Sequence, residues 1–238
     1  PFLKNTEESD IKNWWGYLNS AEIKKMADSG IVEFQAHGFT HTWYECSDEI
    51  IDVFDGAQLY PHLFWNSFEK EKPLWLTIDW KKKIPKGYPV FKFEKSLNNL
   101  SRFYPSQKFI DECVILAEKT DKNQLVKEIN ALAQKYKNEG RLGRFETREE
   151  WISRINHELA DSKKELEIIV GKPVDFIVWP GGGNNEEVIN MAFEAGYKMV
   201  SKGKELNSFN NRTKQISRVA GFIPFQVFNK RLNLLTIK

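Results

Sequence analysis

Residues 19–41 constrain the fold more than any other stretch, because a helix, a glycine, an apolar strand and two histidines follow one another directly. Ile23 and Met26 share one face of a helix predicted over 21–28, with Lys24 and Lys25 on the other. Asn19 or Ser20 caps its start, and Gly30 stops it. A strand is predicted over 31–36. A helix feeding an apolar strand is half of a barrel or doubly wound unit, in which ligands gather at the carboxyl ends of the strands. His37 and His41, two of the four histidines, stand at that end. Imidazoles four residues apart can bind a divalent metal through neutral ring nitrogens and leave positions open for water and substrate. Such an ion makes hydroxide accessible at neutral pH, which is hydrolase chemistry.

Downstream, residues 46–73 show no clear period and are expected to form a loop-rich excursion carrying Tyr60, His62, Phe64 and Trp65. Residues 74–78 read as a buried strand, Lys81 to Lys83 as a turn, and 88–93 as a short extended segment. The pattern over 106–140 is helical and ends at Asn138-Glu139-Gly140. Thr147 with Glu150 is a capping-box signature for a long helix to about Val170, closed by Gly171. A strand over 174–179 breaks at once into Pro180-Gly181-Gly182-Gly183-Asn184-Asn185, a strand-to-helix loop. A helix over 186–194 ends at Gly196, and strands are expected at 197–200 and 215–219.

At 238 residues with 41% hydrophobic content, the chain can bury a large core and is expected to be one α/β domain, 1–238. The net charge of +2 is too small to draw a nucleic-acid partner by its field. Cys46 and Cys113 are too few for a disulfide framework and form no Cys-x-x-Cys pair. No apolar run is long enough to span a bilayer. Eight tryptophans serve first as core, although flat apolar faces edged with polar groups also suit sugar clefts. Trp43 and Tyr44, just past the histidine pair, either flank a sugar or pack. His62 and His157 read as ordinary residues, His157 on a solvated helix face with Asn156 and Glu158.

Three stretches resemble the polysaccharide deacetylases, also called the NodB-homology or carbohydrate esterase family 4 proteins. The first is Met26-Ala27-Asp28-Ser29-Gly30 through Phe34-Gln35-Ala36-His37-Gly38-Phe39-Thr40-His41, similar to the family's metal-binding His-x-x-x-His. The second runs from Ser162-Lys163-Lys164-Glu165 through Gly171-Lys172-Pro173-Val174 to Val178-Trp179-Pro180-Gly181-Gly182, at the rim of the family's site. The third is Ala192-Phe193-Glu194-Ala195-Gly196-Tyr197. Together they span residues from about 20 to 219, in the family's order.

The resemblance implies a deformed (β/α) barrel that removes acetyl groups from N-acetylated sugars of a polysaccharide or oligosaccharide, with a divalent metal, usually zinc. His37 and His41 match the two histidine ligands. The family's Asp-Asp, which supplies a ligand and the general base, belongs on a strand well before the histidines. Asp10 lies in a charged stretch, so the resemblance places that pair, with its barrel strand, ahead of Pro1. Trp179, Pro180 and Gly181 stand where many members have Arg-x-Pro-Tyr, and Arg102 is a candidate substitute for that arginine. With Trp43, these are the expected substrate-binding residues. The family's late Leu-x-His has no match, since His157 is the last histidine. Without the aspartates, a carbohydrate-binding barrel that has lost catalysis is the rival reading. A peptidase is disfavoured because no His-Glu-x-x-His is present. The compartment stays open: the resemblance leans to the cell envelope or outside, and a cytoplasmic home is compatible.

Overall fold

A computed structural model describes residues 18–76, 78–182, 185–202 and 214–217. The chain divides into two units: 1–23, 42–96 and 100–153 in one, and 24–41, 97–99 and 154–238 in the other. Asp10, Thr77, Gly183, Asn184 and Val219, each named in the expectations above, lie outside the described residues.

The first unit is organised by a two-stranded antiparallel ribbon, β1 (Trp43–Phe54) and β2 (Tyr88–Lys95). Successive side chains of a strand point to opposite faces, and this ribbon buries both. Val53 and Phe91 join one cluster with Phe103, Phe109, Cys113, Ile129 and Tyr136. Their neighbours Phe54 and Val90 join another with Leu63, Phe64, Trp80 and Ile84. Helix α2 (Pro61–Ser67) and a 3-10 turn at Trp80–Lys83 build the second cluster. Helices α3 (Gln107–Ala117) and α4 (Lys122–Asn138) cover the other face. The short antiparallel pair β3 (Phe103–Pro105) and β4 (Gly143–Phe145) completes the unit.

Residues 46–73 are therefore not a loop-rich excursion. They carry most of a 12-residue strand, a helix and a 3-10 turn at Glu69–Leu74. Only the Val53–Phe54 end of that strand is buried on both faces, and the run before it, Ser-Asp-Glu-Ile-Ile-Asp at 47–52, does not alternate polar with apolar residues, the pattern by which half-buried strands are read. The described residues of 74–78 likewise do not form a strand. Leu74 closes the 3-10 turn, Trp75 takes helical angles of φ −58° and ψ −25°, and Leu76 is 52% exposed. Trp75 meets the edge of Trp65 at 5.3 Å, so its ring finds a partner without a sheet.

Gly87 turns the chain into β2 with φ +88°, and its N–H donates to the Phe54 carbonyl at 2.8 Å. A β-carbon there would come within 2.4 Å of the Ala117 β-carbon and 2.9 Å of the Cys113 carbonyl. Gly87→Ala should cost about 2 kcal/mol, combining left-handed strain with overpacking. Urea unfolding at neutral pH checks this; an unchanged midpoint would refute it.

In the second unit the strands at 176–177 and 199–202 each follow a helix; the capped helices at 20–28 and 148–156 begin among residues of the first. Helix α1 (Ser20–Asp28) opens on a reciprocal cap, with the Glu22 N–H donating to Asn19 Oδ1 and the Asn19 N–H to Glu22 Oε2, both 2.9 Å. Gly30 follows at φ +70°. Helix α5 (Arg148–Asn156) carries the expected box, Thr147 N–H to Glu150 Oε2 at 2.9 Å and Glu150 N–H to Thr147 Oγ1 at 3.2 Å. It runs through a π turn at His157–Asp161 into α6 (Ser162–Val170), closed by Gly171 at φ +70°. Lys163 then ties Glu167 to the Val174 carbonyl, fixing the approach to β5 (Phe176–Ile177). Helix α7 (Glu186–Glu194), capped by Asn185 Oδ1, leads to β6 (Met199–Lys202), and β7 (Gln215–Ser217) lies beside it.

Strands β5, β6 and β7 are parallel and adjacent in chain order, and Ala36 forms a parallel bridge to Ile177 on the far side of β5. The fold class is thus α/β. Among the described residues the sheet is open and does not close into a barrel. The strand expected over 31–36 contracts to that one bridge, made by Ala36 N–H to Phe176 O at 3.1 Å and Val178 N–H to Ala36 O at 2.9 Å. With β5 only two residues long, there is no further edge to pair with. Ile31 accordingly stays 89% exposed. The strand expected at 197–200 begins at Met199, since Tyr197 is an inward-facing anchor, 3% exposed.

Candidate metal and substrate site

His37 immediately follows the Ala36 bridge, so the sheet itself places it at the carboxyl end of β5. Its Nδ1 lies 2.7 Å from the Val178 carbonyl. A carbonyl can only accept, so Nδ1 is the protonated nitrogen and Nε2 carries the ring's lone pair in the neutral form. This is how proteins fix the tautomer and orientation of metal-binding histidines. The His41 ring lies with its centroid 4.9 Å from that of His37, the planes tilted by 47°. The two imidazole rings therefore lie side by side at this end of the strand.

The backbone between them is unusual. Gly38 has φ +80°, and His41 itself has φ +47°, one of two described non-glycine residues in the left-handed region. Such a conformation costs a side-chain-bearing residue about 1 kcal/mol or more and persists only where its surroundings impose it. A β-carbon at Gly38 would come within 3.2 Å of both Glu158 Oε2 and the Pro180 ring. Thus Pro180, from the loop after β5, stands against the histidine loop.

Glu158 supplies the imposing contact. It is fully buried, and its Oε2 accepts the N–H groups of Phe39 at 2.8 Å and Thr40 at 3.0 Å, while Thr40 Oγ1 donates to Oε1. Of the solvated helix face expected around His157, Asn156 is exposed and the His157 side chain 43% exposed, whereas Glu158 turns inward. His157 rests against Phe39, ring centroids 4.2 Å apart, and its Nδ1 meets Asp161 at 2.7 Å. The signal was present in the sequence. Ile155, Glu158, Leu159 and Ser162 fall at i, i+3, i+4 and i+7, the spacing of an inward stripe, and all four are buried. A carboxylate on such a stripe needs buried partners.

The remaining expected residues are placed as follows. Trp179 is 1% exposed, its ring inside the second unit and its backbone N–H donating to Ser201 Oγ on β6 at 3.0 Å. Pro180, beside the histidine loop, is buried as well, and of the three only Gly181, at φ +60°, is exposed. Trp43 and Arg102 belong to the first unit. Trp43 stacks on Phe93 at 5.5 Å, and the Arg102 guanidinium lies over Tyr44 at 4.2 Å and Tyr104 at 4.7 Å. Near Arg102, desolvation raises the pKa of the buried Glu45 carboxyl. Burial likewise defines His62, 0% exposed and with neither ring nitrogen hydrogen-bonded, among Trp43, Tyr60 and Phe93.

The donor chemistry of the pair suits a borderline divalent cation such as zinc: two imidazoles close together, one held by a backbone carbonyl through its other nitrogen. Among the described residues no group of three or more His, Cys, Asp or Glu gathers in metal-binding geometry.

No family model matches the chain, and no curated protein matches it significantly. Among solved structures, the chain is similar to a de-N-acetylase from Aggregatibacter actinomycetemcomitans, at 14% identity and a TM-score of 0.48, covering 90% of this chain and 53% of that one. It is also similar to the BpsB deacetylase domain from Bordetella bronchiseptica, at 16% identity and a TM-score of 0.43, covering 85% of this chain and 48% of that one. The chain spans about half the length of both.

Proposed function

We propose that this chain carries part of a metal-dependent hydrolase site that removes acetyl groups from N-acetylated sugars of a polysaccharide, on a deformed (β/α) barrel of the NodB-homology type. The convergence of His37 and His41 at the carboxyl end of parallel strands carries this reading. The resemblance of the three sequence stretches supports it.

In this proposal His37 and His41 hold a divalent cation, with zinc favoured by the two nitrogen donors. When bound, such a cation polarises a carbonyl oxygen and acidifies water. The protein's own part is orientation. The Val178 carbonyl holds His37 in one tautomer, and the left-handed backbone at His41 turns the second imidazole back towards the first. Pro180 packs buried against the histidine loop, and the exposed Gly181 beside it is where a sugar ring would meet the chain.

The test is acetate release from N-acetylglucosamine oligomers by the protein, with zinc and with chelator. Zinc-dependent acetate is the expected result. Zinc bound with no acetate released would overturn the hydrolase reading in favour of a carbohydrate-binding barrel. Acetate release indifferent to chelator would overturn the metal.

A further inference from the structure

We infer that Glu158 is the positioning residue of the histidine loop: with the π turn that carries it, it sets residues 38–41 in the geometry that joins the two imidazoles before any cation arrives. The inference rests on the proposed metal role of His37 and His41 and names what builds that site.

Three observations combine. The loop's two consecutive amides, Phe39 and Thr40, both donate to one carboxylate oxygen, and the Thr40 hydroxyl donates to the other. Adjacent N–H groups converging on one anion form a concave backbone nest, a shape that open loops do not hold unaided. The anion is wholly buried and its donors half-buried, and a charge-assisted bond is about twice as strong as a neutral one. Finally, Gly38 closes tightly over the same carboxylate, with room for no β-carbon closer than 3.2 Å from Oε2.

The carboxylate is itself held. It belongs to a π turn, a widened turn that recurs in helices at functional sites. Two consecutive residues of this turn reach the loop, His157 packing its ring on Phe39 and Glu158 taking the amides. The next, Leu159, offers its carbonyl to the Tyr197 hydroxyl at 3.0 Å. Tyr197, which ends the third resembling stretch, is thereby linked to the first stretch through the π turn. A loop gripped at both its aromatic ring and its amides has little freedom left, and the strain at His41 is sustained by that grip.

The carboxylate's replacements separate positioning from bulk. Glu158→Gln keeps an oxygen for both amides and an NH2 group for the Thr40 hydroxyl oxygen. Glu158→Leu fills the space and accepts nothing. In the metal-free protein, hydrogen exchange at the Phe39 and Thr40 amides should quicken at least tenfold in E158L and stay near wild type in E158Q. Zinc affinity, measured against a chromophoric chelator, should fall 10–100-fold in E158L and only a few-fold in E158Q. Should E158L not fold, Thr40→Val, which removes one of the three donors, should weaken zinc by a smaller step. Unchanged exchange or unchanged affinity in a folded E158L, or equal losses in E158L and E158Q, would overturn the inference. A wild-type chain that takes up no zinc overturns the metal role of the pair instead, and the exchange arm then decides whether Glu158 sets the loop.

Discussion

Replacing His37 by alanine and His41 by asparagine together should abolish measurable zinc binding while leaving the fold intact. Four-ligand zinc sites bind with apparent energies of about 10–16 kcal/mol, or roughly 3 kcal/mol per ligand. Each imidazole removed should then weaken zinc on the order of a hundredfold, and both on the order of ten-thousandfold. His41 is exposed and His37 half-buried, so neither loss opens a core cavity. Asparagine is chosen at 41 because it tolerates the left-handed backbone, which alanine would resist. At 37, alanine orphans the Val178 carbonyl at a cost of about 1 kcal/mol, too little to unfold the unit. Titration of metal-free protein with zinc against a competing chelator reads the affinity, and circular dichroism reads the fold. Wild-type affinity in the folded double variant would place the cation elsewhere and remove the basis of the proposed function.

How much of this site could be read from the residues depended on the kind of contact. His37 and His41 were legible because spacing survives folding: a strand end and a four-residue separation bring imidazoles together whether the strand is long or a single bridge. The partner of His37 was not legible, because it is a backbone carbonyl, and any residue at position 178 would present one. Glu158 was legible in principle and missed, because its charge suggested solvent while its stripe with Ile155, Leu159 and Ser162 pointed inward. Local charge and helical phase disagreed there, and phase prevailed because three donors from Phe39 and Thr40 met the carboxylate.

The fold divides in the same way. Helices with reciprocal caps, such as those opening at Asn19 and Thr147, were readable almost to the residue, because their signals are local and satisfied within one turn. Strand β1 was hidden, because Val53 and Phe54 face different cores and the residues before them, Ser-Asp-Glu-Ile-Ile-Asp at 47–52, do not alternate polar with apolar. The short parallel strands were overestimated for the opposite reason. Apolar runs such as 31–36 advertise a strand, but its length is set by the edge available, and β5 offers two residues.

Acidification should destabilise the first unit through His62 alone by about 3 kcal/mol. The ring is fully buried, neither nitrogen has a hydrogen-bond partner, and Trp43, Tyr60 and Phe93 surround it. Burial disfavours the imidazolium and holds its pKa at about 4, against 6.5 for an unperturbed ring. Between those values the unfolded chain binds a proton that the folded chain refuses. Stability therefore falls as pH drops from 6.5 towards 4, by about 1.4 kcal/mol per unit. Tyr60 does not relieve this, since its hydroxyl is engaged by Asp52 at 2.9 Å. His62→Leu, of similar volume, removes the titration and two unpaired polar atoms together. The loss of stability between pH 7 and pH 4.5 should shrink by roughly 2.5 kcal/mol in H62L relative to wild type, with stability at pH 7 equal or higher. Urea unfolding of both proteins at the two pH values measures the difference, in which the carboxylates common to both cancel. A wild-type and a variant that lose stability in parallel would mean that His62 is protonated in the folded chain, and its aromatic surroundings would then have to be polar enough to accept the charge.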